Sequence, residues 1–244
     1  MRKLDGAPLR LESLEGNFID STLYVASTWV IPALLAITLH EAAHGYVAKL
    51  RGDDTASQLG RLSLNPLKHL DPIGTIALPA LLLLMHAPFL FGYAKPVPVR
   101  FDHLKNPRRD MVAVAAAGPA MNLALATFAA LLVHVVVLLP RELGRWFLAN
   151  LAHAIELNVI LALFNLIPIP PLDGGRVAVG LLPDFLAAPL ARLGRYGMSI
   201  VIGLLFLTPL LAAQAGYRVD LFTRLIERPA SALIDAILML TGNR

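Results

Sequence analysis

The sequence predicts an all-α protein that crosses a membrane several times, with about four to six transmembrane helices. Hydrophobic residues make up 57% of the 244 residues and charged residues only 16%, and the mean hydropathy is +0.65. Four apolar runs reach the roughly 20 helical residues that cross a hydrocarbon core of about 30 Å. These runs are residues 22–50, 110–139, 148–168 and 194–215.

Polar segments flank the first run. Residues 1–20 are expected to form a polar N-terminal tail, since they lack the apolar stretch and the small-residue cleavage site of a secretory signal. Helix 22–50 contains Pro32, which predicts a kink. Within the polar residues 51–71, the stretch 57–64 alternates loosely enough to predict a short β-strand.

The next segment, residues 72–93, is apolar but is interrupted by Pro79, His86 and Pro88. We expect it to form a re-entrant hairpin rather than a full span. Prolines at positions 96 and 98 exclude a helix in residues 93–101, because each one pushes the preceding residue into extended geometry.

The C-terminal half continues with the helical runs 110–139, 148–168 and 194–215. Residues 229–242 are too short and too mixed in polarity for a span, which favours an interfacial helix. No internal repeat or low-complexity linker divides the chain. Residues 21–244 are therefore expected to form one membrane domain.

The amino-acid composition excludes some kinds of covalent link and metal ligand. The chain contains no cysteine, so disulfide bonds and thiolate metal ligands are excluded. Its net charge is +4, and basic loops of membrane proteins typically face the cytoplasm. The charge therefore indicates orientation in a membrane and does not indicate a nucleic-acid partner.

The motif His40-Glu41-x-x-His44 lies inside the first apolar run. Histidines four residues apart share one face of a helix, so both imidazoles can bind one metal ion at about 2.0–2.1 Å. The glutamate beside the first histidine can then take a proton from a water on the metal. Ionisable residues inside membranes are costly and mark functional sites, so we predict a catalytic zinc site.

A third protein ligand is needed to complete such a site. The candidates in apolar surroundings are His134, His153, Glu156 and Asp173. Asp173 follows a helix that prolines interrupt and precedes two glycines, so its carboxylate can turn towards a metal. His153 and Glu156 lie one turn apart on a regular helix and can pair with each other. These features favour Asp173 over Glu156 but leave both open.

The distribution of basic residues predicts the topology. Four lie in residues 49–68 and five in residues 95–109, but only two in residues 140–150. The positive-inside rule places the two rich segments in the cytoplasm, and residues 72–93 then make no net crossing. His40, His44 and Asp173 can meet only in that arrangement, with the site towards the cytoplasmic side.

With these residues assembled, the chain resembles the site-2 protease family of intramembrane zinc metalloproteases (M50), in its short form without a PDZ or CBS domain. The resemblance covers about residues 35–180 and depends on five motifs in family order. They are HEAAHG (40–45), NPLKHLDPIGT (65–75), FGYAKPVPV (91–99), AAAGPAMNL (115–123) and NLIPIPPLDGGR (165–176).

The resemblance implies one zinc ion per chain, bound by His40, His44 and Asp173, with Glu41 as the general base. It also implies that Asn165 helps to hold the substrate or the oxyanion. Residues 57–64 and 93–100 resemble the membrane-embedded strands of the family. The domain then divides into a catalytic core at 22–180 and C-terminal helices at 181–244.

The implied activity is hydrolysis of peptide bonds within transmembrane segments of membrane-protein substrates, in the plasma membrane of a prokaryote. The alternatives are a zinc-binding transporter and a non-catalytic relative that only binds transmembrane segments. A transporter gives no reason for a glutamate beside a ligand. The remaining histidines have simpler interpretations: His69 and His103 as solvated or locally hydrogen-bonded, and His134 and His153 as links between helices.

Overall fold

The computed structural model describes residues 18–77, 81, 84, 95–214, 216–217 and 221–244. Among these residues, three helices are long and apolar enough to cross a membrane: Leu23–Leu50, Pro107–Leu138 and Arg141–Asn165. They confirm the first three predicted spans and the all-α membrane fold.

Nine α-helices occur in the described part of the chain, with shorter 3-10 and π segments between them. The helices are α1 (Phe18–Leu50), α2 (Thr55–Gln58), α3 (Pro107–Leu132), α4 (Arg141–Asn165), α5 (Asp173–Leu181), α6 (Asp184–Arg192), α7 (Gly197–Ile202), α8 (Thr208–Gln214) and α9 (Arg228–Leu240). The 3-10 segment Val133–Leu138 extends α3.

The bundle core consists of α1, α3 and α4, which pack against one another. The end of α1 lies beside the start of α3, because the Lys105 amide donates to the Arg51 carbonyl at 3.0 Å. The start of α4 lies beside the early part of α1, because Trp146 Nε1 donates to Ser27 Oγ at 2.9 Å. Hence α1 and α4 run in one direction and α3 runs in the other.

The described residues that flank segment 72–93 lie at the same end of the bundle. The Lys95 amide donates to the His69 carbonyl at 2.9 Å, so the chain leaves and returns on one side. This agrees with the predicted arrangement, in which the two basic segments share a side. Most of the predicted re-entrant hairpin, including His86, lies outside the described residues.

The prediction of short β-strands is wrong, because the described residues contain no strand. Part of the stretch 57–64 belongs to α2, and the rest is irregular. Residues 95–100 are extended, but the Val97 and Arg100 amides donate to carboxylates on other elements. Pro96 and Pro98 have no N–H to donate, so this stretch cannot form a regular ladder.

Two features of the C-terminal helices go beyond the predictions. The predicted span 194–215 is built from consecutive pieces: α7, the π segment Gly203–Leu207, and α8. Helix α9, which covers most of the predicted interfacial segment 229–242, is also in contact with the bundle. Its buried residues Ala230 and Ile237 join a cluster with residues of α3 and α4, so it packs onto the bundle.

Asp53 fastens the extended stretch to the end of α1. Its side chain is buried, and it accepts from the Arg100 amide at 2.7 Å and from the Thr55 amide at 3.1 Å. Burial by itself raises the pKa of this carboxyl, but the Thr55 hydroxyl and the two amides outweigh it and hold the pKa below its usual value.

We expect Asp53→Asn to lower the free energy of unfolding in detergent at pH 7 by about 1–3 kcal/mol, because buried hydrogen bonds to a charged acceptor are lost. A carboxyl whose pKa is lower in the folded state stabilises the fold above its unfolded pKa of about 4 and loses this effect as the pH falls. The difference between variant and wild type should therefore shrink below about pH 4. Unfolding curves at several pH values measure it.

The matched control is Asp54→Asn, which changes an exposed neighbouring carboxylate. We expect it to alter stability by less than about 0.5 kcal/mol. Equal effects of the two variants would contradict the role assigned to Asp53.

Candidate metal centre

Three potential metal ligands converge in the interior of the bundle. His40 and His44 lie one turn apart on α1, and Asp173 is the first residue of α5. All three are buried, with 6%, 7% and 5% of their surfaces exposed. The Nε2 atoms of His40 and His44 are 3.1 Å apart and lie 3.2 and 3.3 Å from Asp173 Oδ2.

The three distances fit the coordination sphere of zinc. Zinc binds imidazole nitrogen and carboxylate oxygen at about 2.0–2.1 Å, and a tetrahedron of that size has edges of about 3.3–3.4 Å. The observed separations of 3.1, 3.2 and 3.3 Å form one face of such a tetrahedron. The fourth corner is where a catalytic site admits water or substrate.

The outer nitrogens of both imidazoles make hydrogen bonds that fix their protons. His44 Nδ1 donates to the Val114 carbonyl at 2.7 Å, because a carbonyl can only accept. His40 Nδ1 lies 2.5 Å from Asn122 Oδ1. With the protons on Nδ1, both Nε2 atoms present lone pairs to the shared centre, as metal ligation requires.

A chain of two asparagines fixes the orientation of the His40 ring. Asn158 Nδ2 donates to the Ala154 carbonyl at 2.8 Å, so Asn158 Oδ1 faces α3. That oxygen accepts from Asn122 Nδ2 at 2.7 Å. Asn122 must therefore direct its own Oδ1 towards His40. A network that ends on a backbone carbonyl has only one consistent assignment of its amide groups.

The carboxylate of Asp173 supplies an independent argument for a cation. Its Oδ2 atom is buried and has no hydrogen-bond donor, since both nearby Nε2 atoms carry lone pairs. A buried carboxylate oxygen without a donor is costly. A metal ion between the three atoms removes that cost, so the donor set fits zinc.

Close backbone packing brings Asp173 into the bundle. Helix α4 ends at Asn165, and the chain turns through residues 166–172 before α5 begins. A Cβ on Gly174 would lie 2.1 Å from the Leu166 carbonyl oxygen, and one on Gly175 would lie 2.1 Å from Pro170 N. Only glycine at these positions lets α5 start against the turn, with Asp173 directed towards His40 and His44.

Gly118 on α3 lies directly behind the histidines. A Cβ at this position would lie 2.4 Å from His44 Nε2 and 2.6 Å from His40 Nε2. Gly118, Asn122 and Asn158 were not predicted from the sequence as parts of the site. Their signal is the presence of Asn122 and Asn158 within apolar helices, with Gly118 one turn before Asn122.

Glu41 is oriented by the extended stretch. Its Oε2 atom accepts from the Val97 amide at 2.7 Å, and Val97 is held between two prolines. Its other oxygen has no hydrogen-bond partner among the described residues. Glu41 is half-buried, so one carboxylate oxygen is anchored and the other is left to accept a proton.

The other candidate ligands lie elsewhere. Glu156 is exposed on α4. His153 Nδ1 bonds to the Thr28 carbonyl at 2.8 Å, and its ring stacks on Trp29 at 3.9 Å. His134 Nε2 bonds to the Thr241 carbonyl at 2.7 Å. The two histidines therefore link helices, as predicted.

The loop histidines and Asn165 have local partners. His69 is buried rather than solvated, and its Nε2 bonds to the Ser63 carbonyl at 2.7 Å. His103 is partly exposed, with Nδ1 3.8 Å from Asp53 Oδ1. Asn165 ends α4, and its Nδ2 donates to the Leu161 carbonyl at 3.0 Å.

Comparison with known proteins points to one class of enzyme. The model of "Peptidase family M50" matches residues 141–208. The chain is 43% identical over 198 residues to "Putative zinc metalloprotease YwhC" of Bacillus subtilis, covering 80% of this chain and 86% of that protein. It is 31% identical over 202 residues to "Putative zinc metalloprotease Rip2" of Mycolicibacterium smegmatis, covering 80% and 71%. No solved structure matches the chain.

We expect Asp173→Ala to abolish stoichiometric zinc binding, because it removes one of three ligands. The affinity should fall more than about a hundredfold, since even outer hydrogen-bond partners of ligands contribute 10–100-fold. Metal analysis after dialysis against a weak chelator measures the loss. Glu156→Ala is the control and should retain zinc; the reverse pattern would show that Glu156 is the ligand.

We also expect Gly118→Ala to weaken zinc binding at least about tenfold although every ligand remains, because the new methyl group overlaps both Nε2 positions. Gly203→Ala is the matched control, since a Cβ there meets no atom within 4 Å. Zinc titration of the two variants gives the comparison. Unchanged affinity in Gly118→Ala would place the metal elsewhere.

Proposed function

The chain belongs to the M50 peptidase family, and from this membership we propose that it is a zinc-dependent endopeptidase that hydrolyses peptide bonds within transmembrane segments of membrane proteins. That it is an integral membrane zinc metalloprotease follows from its relatives and its apolar helices. The place of cleavage, the residues that carry it out and the class of substrate are proposed in addition.

The depth of the site carries the proposal. His44 and His40 lie six and ten residues before Leu50, the last residue of the first candidate span. At 1.5 Å per residue, the site is about 9–15 Å inside the end of that helix. This depth within a candidate membrane span supports a transmembrane segment as the substrate.

Each site residue has one role in this proposal. His40, His44 and Asp173 hold the metal, Asn122 and Val114 orient the two imidazoles, and Val97 orients Glu41. When bound, zinc acts as a Lewis acid that makes water more acidic and polarises the scissile carbonyl.

Glu41 moves the proton in the reaction. Its free oxygen takes a proton from the attacking water while the hydroxyl adds to the carbonyl carbon of the scissile bond. As the C–N bond breaks, Glu41 delivers that proton to the leaving amine. The Asn165 amide, at the end of α4, is proposed to hold the substrate or the oxyanion.

The substrate has to expose its backbone before cleavage. Amide groups in a transmembrane helix are bonded internally, so the segment must unwind locally, and helix-breaking residues make that less costly. We further propose that residues 22–180 form the catalytic core and residues 181–244 a C-terminal helical part. We also propose that the site lies towards the cytoplasmic side of a prokaryotic plasma membrane, and the positions of the basic segments support the cytoplasmic side.

The decisive test is Glu41→Gln in purified protein with a panel of transmembrane peptides. Loss of the base should reduce cleavage at least 10²–10⁴-fold, while zinc remains bound because the three ligands are intact. Mass spectrometry of products and metal analysis of the same samples give both results.

Glu142→Gln serves as the control, since it changes an exposed carboxylate at the start of α4, and it should cleave like wild type. Cleavage that persists in Glu41→Gln would exclude Glu41 as the base. Zinc-dependent binding of peptides without cleavage by the wild type would favour a non-catalytic relative.

A further inference from the structure

A cavity outside the metal centre lies between the end of α1, the first turns of α3 and the end of α5. Its volume is about 490 Å³, which is within the roughly 300–1,000 Å³ typical of ligand pockets. Its lining combines charged residues with an apolar wall: Arg51, Arg108, Arg109, Asp110, Val112, Ala113, Ala116, Gly180 and Leu181.

The cavity lies at one end of two candidate membrane spans. Arg51 directly follows Leu50, and Arg108 and Arg109 are the second and third residues of the span Pro107–Leu138. The two ends are joined by the hydrogen bond from the Lys105 amide to the Arg51 carbonyl. The arginines are therefore at the level where lipid headgroups meet the protein, at the end of the bundle that is rich in lysine and arginine.

The positive charge in this cavity is not neutralised within the described chain. Arg51 pairs with buried Asp110 at 3.3 Å. Arg108 is occupied by Asp184 at 2.6 Å and by the Gly180 carbonyl at 3.0 Å. Arg109 is exposed and has no hydrogen bond or ion pair with any described residue. Since Arg51 and Arg108 each have a carboxylate partner, three arginines face two aspartates and one positive charge, that of Arg109, is left over.

The apolar wall continues from the arginines along the span. Val112, Ala113 and Ala116 follow Arg109 by one to two turns of α3 and are half-buried. A Cβ on Gly180 would lie 2.3 Å from Val112 Cγ2, so α5 packs directly against α3 and closes this side of the cavity. The cavity therefore has a cationic rim and an apolar wall.

We propose that this cavity binds an anionic phospholipid, with Arg109 and Arg51 contacting the headgroup phosphate and an acyl chain lying along Val112, Ala113 and Ala116. Basic pockets between transmembrane helices suit anionic headgroups, and guanidinium groups form paired hydrogen bonds with phosphate. A free phosphate ion offers the same anionic chemistry but leaves the apolar wall uncovered. The wall therefore favours the lipid.

The test compares ligands on the purified full-length protein in a neutral detergent. Short-chain phosphatidylglycerol, short-chain phosphatidylcholine and inorganic phosphate are titrated separately, with native mass spectrometry and thermal unfolding as the measurements. We expect phosphatidylglycerol to bind and to raise the unfolding temperature. Phosphatidylcholine and inorganic phosphate should bind at least about fivefold more weakly, since each lacks one part of the recognised chemistry.

The variants separate this site from general attraction to basic surfaces. Arg109→Gln should weaken phosphatidylglycerol binding about fivefold, the usual contribution of one arginine near an anionic surface. Arg195→Gln removes the same charge from an exposed arginine outside the cavity and should have no such effect. Ala113→Leu keeps every charge but fills the apolar wall, so it too should weaken binding.

Three outcomes would overturn the proposal. Equal loss in Arg109→Gln and Arg195→Gln would show non-specific attraction. Inorganic phosphate binding as tightly as phosphatidylglycerol would make this a phosphate site. Binding unchanged in Arg109→Gln and Ala113→Leu would place the lipid elsewhere. If Arg109→Gln does not fold, Arg109→Lys and Ala113→Leu still decide the question, because Arg109→Lys keeps the charge and should retain the lipid.

Discussion

The structure depends on three acceptor atoms that meet inside an apolar bundle. The Nε2 atoms of His40 and His44 and the Oδ2 atom of Asp173 lie within 3.3 Å of one another, and each presents a lone pair. Such a group is costly in a low-dielectric interior, and a cation between its members removes the cost. A metal ion bound by these three residues would join α1 to α5, so it would contribute to the fold as well as to the chemistry.

Every other contact near the centre follows from that constraint. The imidazole protons must point outward, and Val114 and Asn122 accept them. The asparagine chain then has to end on a carbonyl, which Ala154 provides. Gly118 has to lack a side chain so that α3 can pass behind the rings. A polar network inside a membrane is tolerated when all its members are satisfied, and a bound cation would supply the partner that Asp173 Oδ2 lacks.

At the end of the bundle nearest the site, carboxylates accept hydrogen bonds from the backbone of the extended stretch 95–100. Asp53 binds the Arg100 amide and Glu41 binds the Val97 amide, so two carboxylates on or just after α1 hold one extended stretch. The same contacts that secure this stretch also orient the proposed base. On the adjacent side of the bundle, arginines at the ends of the spans line the proposed lipid site, which would bring a bound headgroup close to α5.

Sequence alone determined the local features. It predicts the spans, because a span is recognised by the length and hydrophobicity of one continuous stretch of chain. It also predicts that His40 and His44 share a face, because a turn of helix has a fixed period. It left Asp173 and Glu156 open, since both lie in apolar surroundings and only the turn after α4 decides which one faces α1. The predicted strands do not form, because the Val97 and Arg100 amides donate to the carboxylates of Glu41 and Asp53. Only the tertiary structure shows the roles of Gly118, Asn122 and Asn158. Their contacts lie between helices, and the residue pattern within one helix does not predict how helices pack.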